Sequence, residues 1–75
     1  MYRLNLKELG RIGLIQPTTY SKILGLSANV MYMFFRGETT TKLSTAKGII
    51  SLAYDIPIGD SSIDELVEKH FIKEN

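Results

Sequence analysis

Few side chains in this sequence have the chemistry of catalysis. The sole histidine, His70, lies in "EKHFIK" near the C-terminus, where we interpret it as an exposed helix residue. Asp64, Glu65 and Glu68 carry potential metal-ligating carboxylates, but their spacing is typical of a solvated helix face. The run "TTT" at 39–41 has no neighbouring base to activate a hydroxyl. We therefore expect no enzyme, no cofactor, no metal site and no small-molecule substrate.

Composition sets further limits on the class of protein. The 75-residue chain has no cysteine, which excludes disulfide bonds and thiolate metal sites. No apolar stretch approaches the roughly 20 residues that span a bilayer, and the opening "MYRLNLKELG" lacks the apolar core of a signal peptide. With 44% hydrophobic and 23% charged residues, the sequence predicts one folded domain over residues 1–75. We expect a cytoplasmic protein that does not bind membranes.

The net charge of +1 conceals an uneven distribution. Residues 1–54 contain seven Lys or Arg and two acids, which gives +5, whereas residues 55–75 contain two Lys and six acids, which gives −4. The basic part is suited to a phosphate backbone or an acidic protein surface, and the acidic part is not. A solvated surface with an acidic tail accounts for the charges equally well.

The elements that must position these residues are all predicted to be helical. Apolar residues recur at helical spacing, and no window sustains the alternation of a strand. The predicted helices cover about 5–11 or 5–12, 17–25 and 28–36, a fourth helix runs from a cap at Ser44 or Thr45 to about 54, and a last helix opens at Ser62. The sequence therefore predicts an all-α fold, a compact five-helix bundle.

Local signals place the ends of these helices. Asn5 and Ser27 are suited to N-cap positions, and Pro17 is suited to a first helical turn. Ser44 or Thr45 is a further candidate N-cap. Ser62 and Glu65 have the spacing of a capping box. Gly48 costs roughly 1 kcal/mol relative to Ala inside a helix, so it predicts a close helix contact.

A series of residues in the second and third predicted helices carries a family resemblance. The series comprises Tyr20, Ser21, "LGLS" at 24–27, Met31, Phe34 and "RG" at 36–37, followed by "ISLAYDIPI" at 50–58. In this order the residues resemble the Cro/C1-type (XRE) helix-turn-helix family of phage and bacterial repressors. The resemblance implies a lambda-repressor-like DNA-binding domain whose recognition helix is 28–36. It departs from the family where Pro17 holds the slot of a DNA-contacting Gln.

The resemblance also implies which side chains face the groove. These are Ser27, Ala28, Asn29, Tyr32 and Met33, with Arg36 near the DNA backbone. Among them only Asn29 is a good base reader, through a bidentate pair with adenine. Four further side chains are candidates for phosphate contacts: Thr19, Lys22, Lys42 and Lys47.

The stretch "VMYMFF" at 30–35 is unusually apolar for a recognition helix. At about 100° per residue, a helix directs Met31, Phe34 and either Val30 or Phe35 inward, but not all six residues. At least Tyr32 and Met33 should then lie outside, beside part of Val30 or Phe35. Exposed apolar surface of this kind is typical of a protein interface or a ligand groove.

Three interpretations of this surface remain open. The surplus is covered within the protein, by the last helix or by a homodimer; or the helix reads operator DNA, as in a Cro-like repressor; or it binds another protein. We favour the third, because the chain resembles phage modulator-of-repression (antirepressor) proteins in size, architecture and apolar recognition face. That resemblance implies a lysis-lysogeny switch, in which the protein docks on a partner repressor's DNA-binding domain. Asn29, Tyr32, Met33, Phe35 and Arg36 would then lie at the interface.

Overall fold

The two ends of the chain meet in a short antiparallel sheet that lies beside four α-helices. The computed structural model describes residues 1–74. Its elements, in chain order, are strand β1 (Tyr2–Leu4), two 3₁₀ helices (Leu6–Glu8 and Gly10–Leu14), helices α1 (Pro17–Leu24), α2 (Ala28–Phe35), α3 (Leu43–Tyr54) and α4 (Ile63–His70), and strand β2 (Phe71–Lys73). Helical residues account for 59% of the chain. Residues 1–74 contain no helix with the length and apolar character that crossing a bilayer requires.

The predicted five-helix all-α bundle is wrong at both ends of the chain. At the N-terminus Asn5 does cap a helix by accepting from the Lys7 N–H, but only 3₁₀ turns follow. Gly10 adopts φ +49°, a left-handed conformation that interrupts a continuous α-helix. At the C-terminus α4 ends at His70, and Phe71 is already extended, with φ −127° and ψ 152°.

Strand pairing explains why both ends depart from helix. Arg3 lies opposite Ile72, and flanking bonds join the Asn5 N–H to the His70 carbonyl at 2.9 Å and the Glu74 N–H to the Met1 carbonyl at 2.7 Å. The outer edge of β1 is closed by two 2.8 Å bonds between the backbones of Tyr2 and Thr41. The terminal backbone groups are therefore satisfied by chain partners distant in sequence.

Two helix starts also differ from the predicted ones. The N-cap of α3 is Lys42, and no side chain caps it, so Ser44 and Thr45 do not have the predicted role. Ser62 is the N-cap of α4, but the capping box with Glu65 is absent. Instead, the N–H and the hydroxyl of Ser62 both donate to Oδ1 of Asp60, at 2.9 and 2.6 Å. The preceding turn thus organises the start of α4.

A single apolar core joins both strands, the second 3₁₀ helix and the four α-helices. It comprises Leu4, Ile12, Tyr20, Met31, Phe34, Ala46, Ile49, Ile50, Ala53, Ile63, Val67 and Phe71. The predicted close contact at Gly48 is confirmed, because a Cβ built there would lie 2.8 Å from Cδ2 of Leu24. The absence of a side chain at Gly48 lets α1 pack directly on α3, and this contact supports the α1–α2 pair.

Candidate functional site: the outward face of α2

Helix α2 is held at both ends by turns that require left-handed backbone. Gly25 ends α1 at φ +70°, and its N–H donates to the Ser21 carbonyl. Ser27 then caps α2, as predicted, by accepting from the Val30 N–H at 3.2 Å. At the other end Gly37 has φ +74° and donates to the Phe34 carbonyl at 3.0 Å. The helix therefore has a fixed start, end and rotation about its axis.

The inward side of α2 is the one that helical spacing predicted. Met31 and Phe34 are 1% and 2% exposed, and the ring of Phe34 lies 5.9 Å from that of Phe71. Phe35 is half-buried, with its ring centroid 5.4 Å from that of Tyr20. Phe35 was predicted as a contact residue, but part of its side chain packs against α1.

The opposite side of α2 combines exposed apolar and polar side chains. We define the outward face as Asn29, Val30, Tyr32, Met33 and Arg36, all of which are exposed. Val30, Tyr32 and Met33 remain 47%, 43% and 39% exposed. Neither α4 nor another element of residues 1–74 buries them. The interpretation that the surplus apolar surface is covered by the last helix is therefore wrong.

The cation of the outward face is engaged by a carboxylate. The guanidinium of Arg36 donates from Nε to Oε2 of Glu38 at 2.9 Å and from Nη2 to Oε1 at 3.1 Å. The hydrogen bond from Arg36 holds the pKa of Glu38 below its usual range, and the same bond raises the pKa of Arg36. Both groups therefore stay charged near neutral pH, as a two-point pair at the end of α2.

The remaining predicted contact residues differ in exposure and in bonding partners. Ser27 and Ala28 are exposed at the start of α2, although the Ser27 hydroxyl is used by the cap; Thr19, Lys22 and Lys42 are also exposed. Lys47 is half-buried, and its Nζ lies 3.8 Å from Oδ1 of Asp64, on α4. Within residues 1–74, no carboxylate lies within 4 Å of Lys22 or Lys42.

His70 is a structural residue, contrary to its predicted exposure. It is 1% exposed, and its ring nitrogens bond the Tyr54 hydroxyl and the Glu8 carbonyl. The sequence did contain a signal, because His70 follows Ile63 and Val67 at the spacing of one helical stripe. Asp64, Glu65 and Glu68 are exposed, and residues 1–74 contain no group of three His, Cys, Asp or Glu arranged to hold a metal ion.

A groove lies where residues of β1, α3, α4 and β2 meet. This groove has a volume of about 310 Å³ and is lined by Tyr2, Leu43, Asp64, Val67, Glu68, Phe71 and Lys73. None of its lining residues belongs to α2. The groove is thus separate from the outward face of α2.

Comparison with known proteins adds no family assignment. No protein-family model matches the chain, and no match was found among curated proteins or among solved structures. The resemblance to Cro/C1-type regulators therefore stays a prediction from the residues quoted above.

Proposed function

We propose that the chain is a small transcriptional regulator that docks the outward face of α2 on the DNA-binding domain of a partner repressor. The observation that carries the proposal is the exposure of Tyr32 and Met33 between the polar residues Asn29 and Arg36. Tyr and Met are enriched at protein interfaces, and Met adapts to the shape of a partner. The expected setting is a phage-type genetic switch, with the chain acting as a modulator or antirepressor.

The charge of this surface favours a protein partner over DNA. DNA-binding surfaces are polar and strongly cationic. The outward face holds one cation, Arg36, and the carboxylate of Glu38 already neutralises it. An apolar patch beside a neutral ion pair offers few phosphate contacts but can bury well against another apolar surface.

The proposed mechanism is competition for one surface of the repressor. Tyr32 and Met33 would anchor the contact, and Asn29 and Arg36 would set its orientation at the rim. A standard interface buries about 1,600 Å² in total, which requires the outward face together with part of α1. A repressor bound in this way has its recognition helix masked, so it releases its operator.

The first test is capture of the partner from the native host. The tagged chain is recovered from cell extract with and without nuclease, and the retained proteins and DNA are identified. The proposal requires a retained protein that has its own DNA-binding domain and is indifferent to nuclease. That protein is then purified, and its operator shift must disappear when the chain is added.

Matched variants decide whether the outward face makes the contact. Tyr32→Ala and Met33→Glu should each abolish the complex while circular dichroism remains unchanged, because both side chains lie outside the core. Leu14→Glu is the control, since Leu14 is apolar and 82% exposed but lies outside α2. A complex that survives both face variants would show that the partner binds elsewhere.

Operator reading by the same helix is the second candidate. Its support is the exposure of Asn29 on the outward face, together with Lys22 and Lys42, which no carboxylate of residues 1–74 approaches within 4 Å. In that case a defined DNA fragment should be recovered and then lost under nuclease and high salt. Asn29→Ala should remove the sequence preference.

A further inference from the structure

We infer that Glu38 is a specificity residue, which occupies Arg36 and so keeps the outward face of α2 from binding DNA. This inference deepens the proposed function and rests on it. The carboxylate of Glu38, which follows the end of α2, would then determine whether this face binds a protein or a nucleic acid.

The backbone after α2 is built to bring this carboxylate back. The left-handed conformation of Gly37 reverses the chain, and the Glu38 N–H then donates to the Met33 carbonyl at 3.0 Å. From this anchored position both carboxylate oxygens meet the guanidinium of Arg36. The Gly37 carbonyl is itself held by Nη1 of Arg3 at 2.7 Å, so the turn is fixed from two sides.

The pair removes the charge that a phosphate would need. Arg36 is the only Lys or Arg in residues 23–41, and Glu38 is the only acid in the same range, so that range has no net charge. A phosphate that accepts from the N–H groups of Arg36 left free by Glu38, those of Nη1 among them, would lie beside the Glu38 carboxylate. The Glu38 carboxylate and the phosphate are both negative, so they repel each other at such short range. The contact would also release fewer counterions from the DNA.

A protein surface does not meet the same obstacle. A partner that offers a donor to Glu38 and an acceptor to Arg36 can bind the pair without breaking it. Polar pairs of this kind at the rim of an apolar patch set register and exclude wrong partners more than they add affinity. The Arg36–Glu38 pair therefore favours contact with polar groups of a protein partner and disfavours contact with DNA.

The test is whether removing one negative charge creates DNA binding. Glu38→Gln keeps the shape of the side chain, and binding is measured by fluorescence anisotropy with a random duplex of about 20 base pairs in low salt. One additional phosphate contact should tighten binding about tenfold at about 50 mM salt. It should also steepen the slope of the logarithm of the binding constant against the logarithm of the salt concentration by about one. The gain must vanish in the double variant Arg36→Ala with Glu38→Gln.

Glu65→Gln is the matched control, because it makes the same charge change at an exposed position on α4. The inference is overturned if Glu38→Gln gains no affinity, if Glu65→Gln gains as much, or if the gain survives without Arg36. A wild-type chain that already binds the duplex tightly, with a steep salt dependence, would instead contradict the proposed function. The two failures are therefore distinguishable in one series of titrations.

Discussion

The imidazole of His70 and the hydroxyl of Tyr54 are joined by a 2.6 Å hydrogen bond inside the protein. The other ring nitrogen, Nδ1, lies 2.5 Å from the carbonyl oxygen of Glu8. Because a carbonyl only accepts, Nδ1 donates to Glu8, which leaves Nε2 for the bond with the Tyr54 hydroxyl. One side chain thus connects the first 3₁₀ helix, the end of α3 and the end of α4.

Removal of this ring should be among the more damaging substitutions in the chain. His70→Ala leaves a cavity and takes the partner away from two polar groups, so we expect it to lower the free energy of unfolding by about 3 kcal/mol. Tyr54→Phe loses one hydrogen bond and should cost about 1 kcal/mol. Urea denaturation at neutral pH, followed by circular dichroism, measures both.

Two comparisons make this prediction specific. Lys69→Ala changes an exposed neighbour on α4 and should stay within about 0.5 kcal/mol of the wild type. The double variant of His70 and Tyr54 should be less destabilised than the sum of the single variants, because the two residues share a bond. Equal costs for His70→Ala and Lys69→Ala would contradict the structural role.

The turn before α2 should depend on the backbone of Gly25 and not on the space around it. Gly25 has φ +70°, yet a Cβ built there meets no atom within 4 Å. Gly25→Ala should therefore cost about 1 kcal/mol through left-handed strain alone. Gly59 also has open space but lies outside the left-handed region, so Gly59→Ala is the control and should cost less. Similar unfolding midpoints in urea for the two variants would refute the explanation.

Local signals explain which parts of the fold could be predicted from the sequence. Pro17 at the start of α1, Gly25 at its end and the Ser27 cap each act within a few residues, and the structure has all three. The sheet could not be predicted in this way, since three-residue strands show no usable period. It depends on pairs such as Arg3 with Glu74, which are 71 residues apart.

The same division applies to the candidate site. Helical spacing was sufficient to place Met31 and Phe34 inside and Tyr32 and Met33 outside. The Arg36–Glu38 pair was not predictable, because it depends on the left-handed turn at Gly37 and on which rotamers meet across it. Burial of His70 was readable from the stripe of α4, but its two hydrogen-bond partners lie in other elements.

The pair between Arg3 and Glu74 should make stability depend on acid. The guanidinium of Arg3 donates to Glu74 from Nε at 2.6 Å and from Nη2 at 3.1 Å, and this bonding lowers the pKa of Glu74. A carboxyl with a lowered folded-state pKa contributes stability above its ordinary value of 4.5, and the contribution is lost as the pH falls through the folded value. Glu74→Gln should therefore flatten the decline of unfolding free energy between about pH 5 and pH 3.

Other carboxyl groups also contribute to the loss of stability in acid, so the measurement needs a control. Glu38 and Asp60 also have a lowered pKa, through bonds from Arg36 and Ser62, so Glu74→Gln should remove only part of the decline. Glu65→Gln replaces an exposed acid and serves as the comparison. Urea denaturation measures the unfolding free energy of both variants between about pH 5 and pH 3. If the free energy declined equally steeply with falling pH in the Glu74 and Glu65 variants, the prediction would be wrong.

At alkaline pH the controlling group should be Tyr20. Its hydroxyl donates to the Ile12 carbonyl at 2.9 Å, its side chain is 0% exposed, and burial raises its pKa to about 12. Since this value lies above the ordinary 10.0, the contribution to stability is complete below pH 10 and is lost as the pH rises through about 12.

Tyr20→Phe separates the two consequences of this arrangement. At neutral pH the variant leaves the Ile12 carbonyl without its partner and should lose about 1–2 kcal/mol of unfolding free energy. Above pH 10 its stability should decline less steeply than that of the wild type, because no buried phenol remains to ionise. Tyrosinate absorbance should show the same difference, as a late transition that is present in the wild type and missing in the variant. If the variant kept the late transition, the group with the raised pKa would be one of the other three tyrosines.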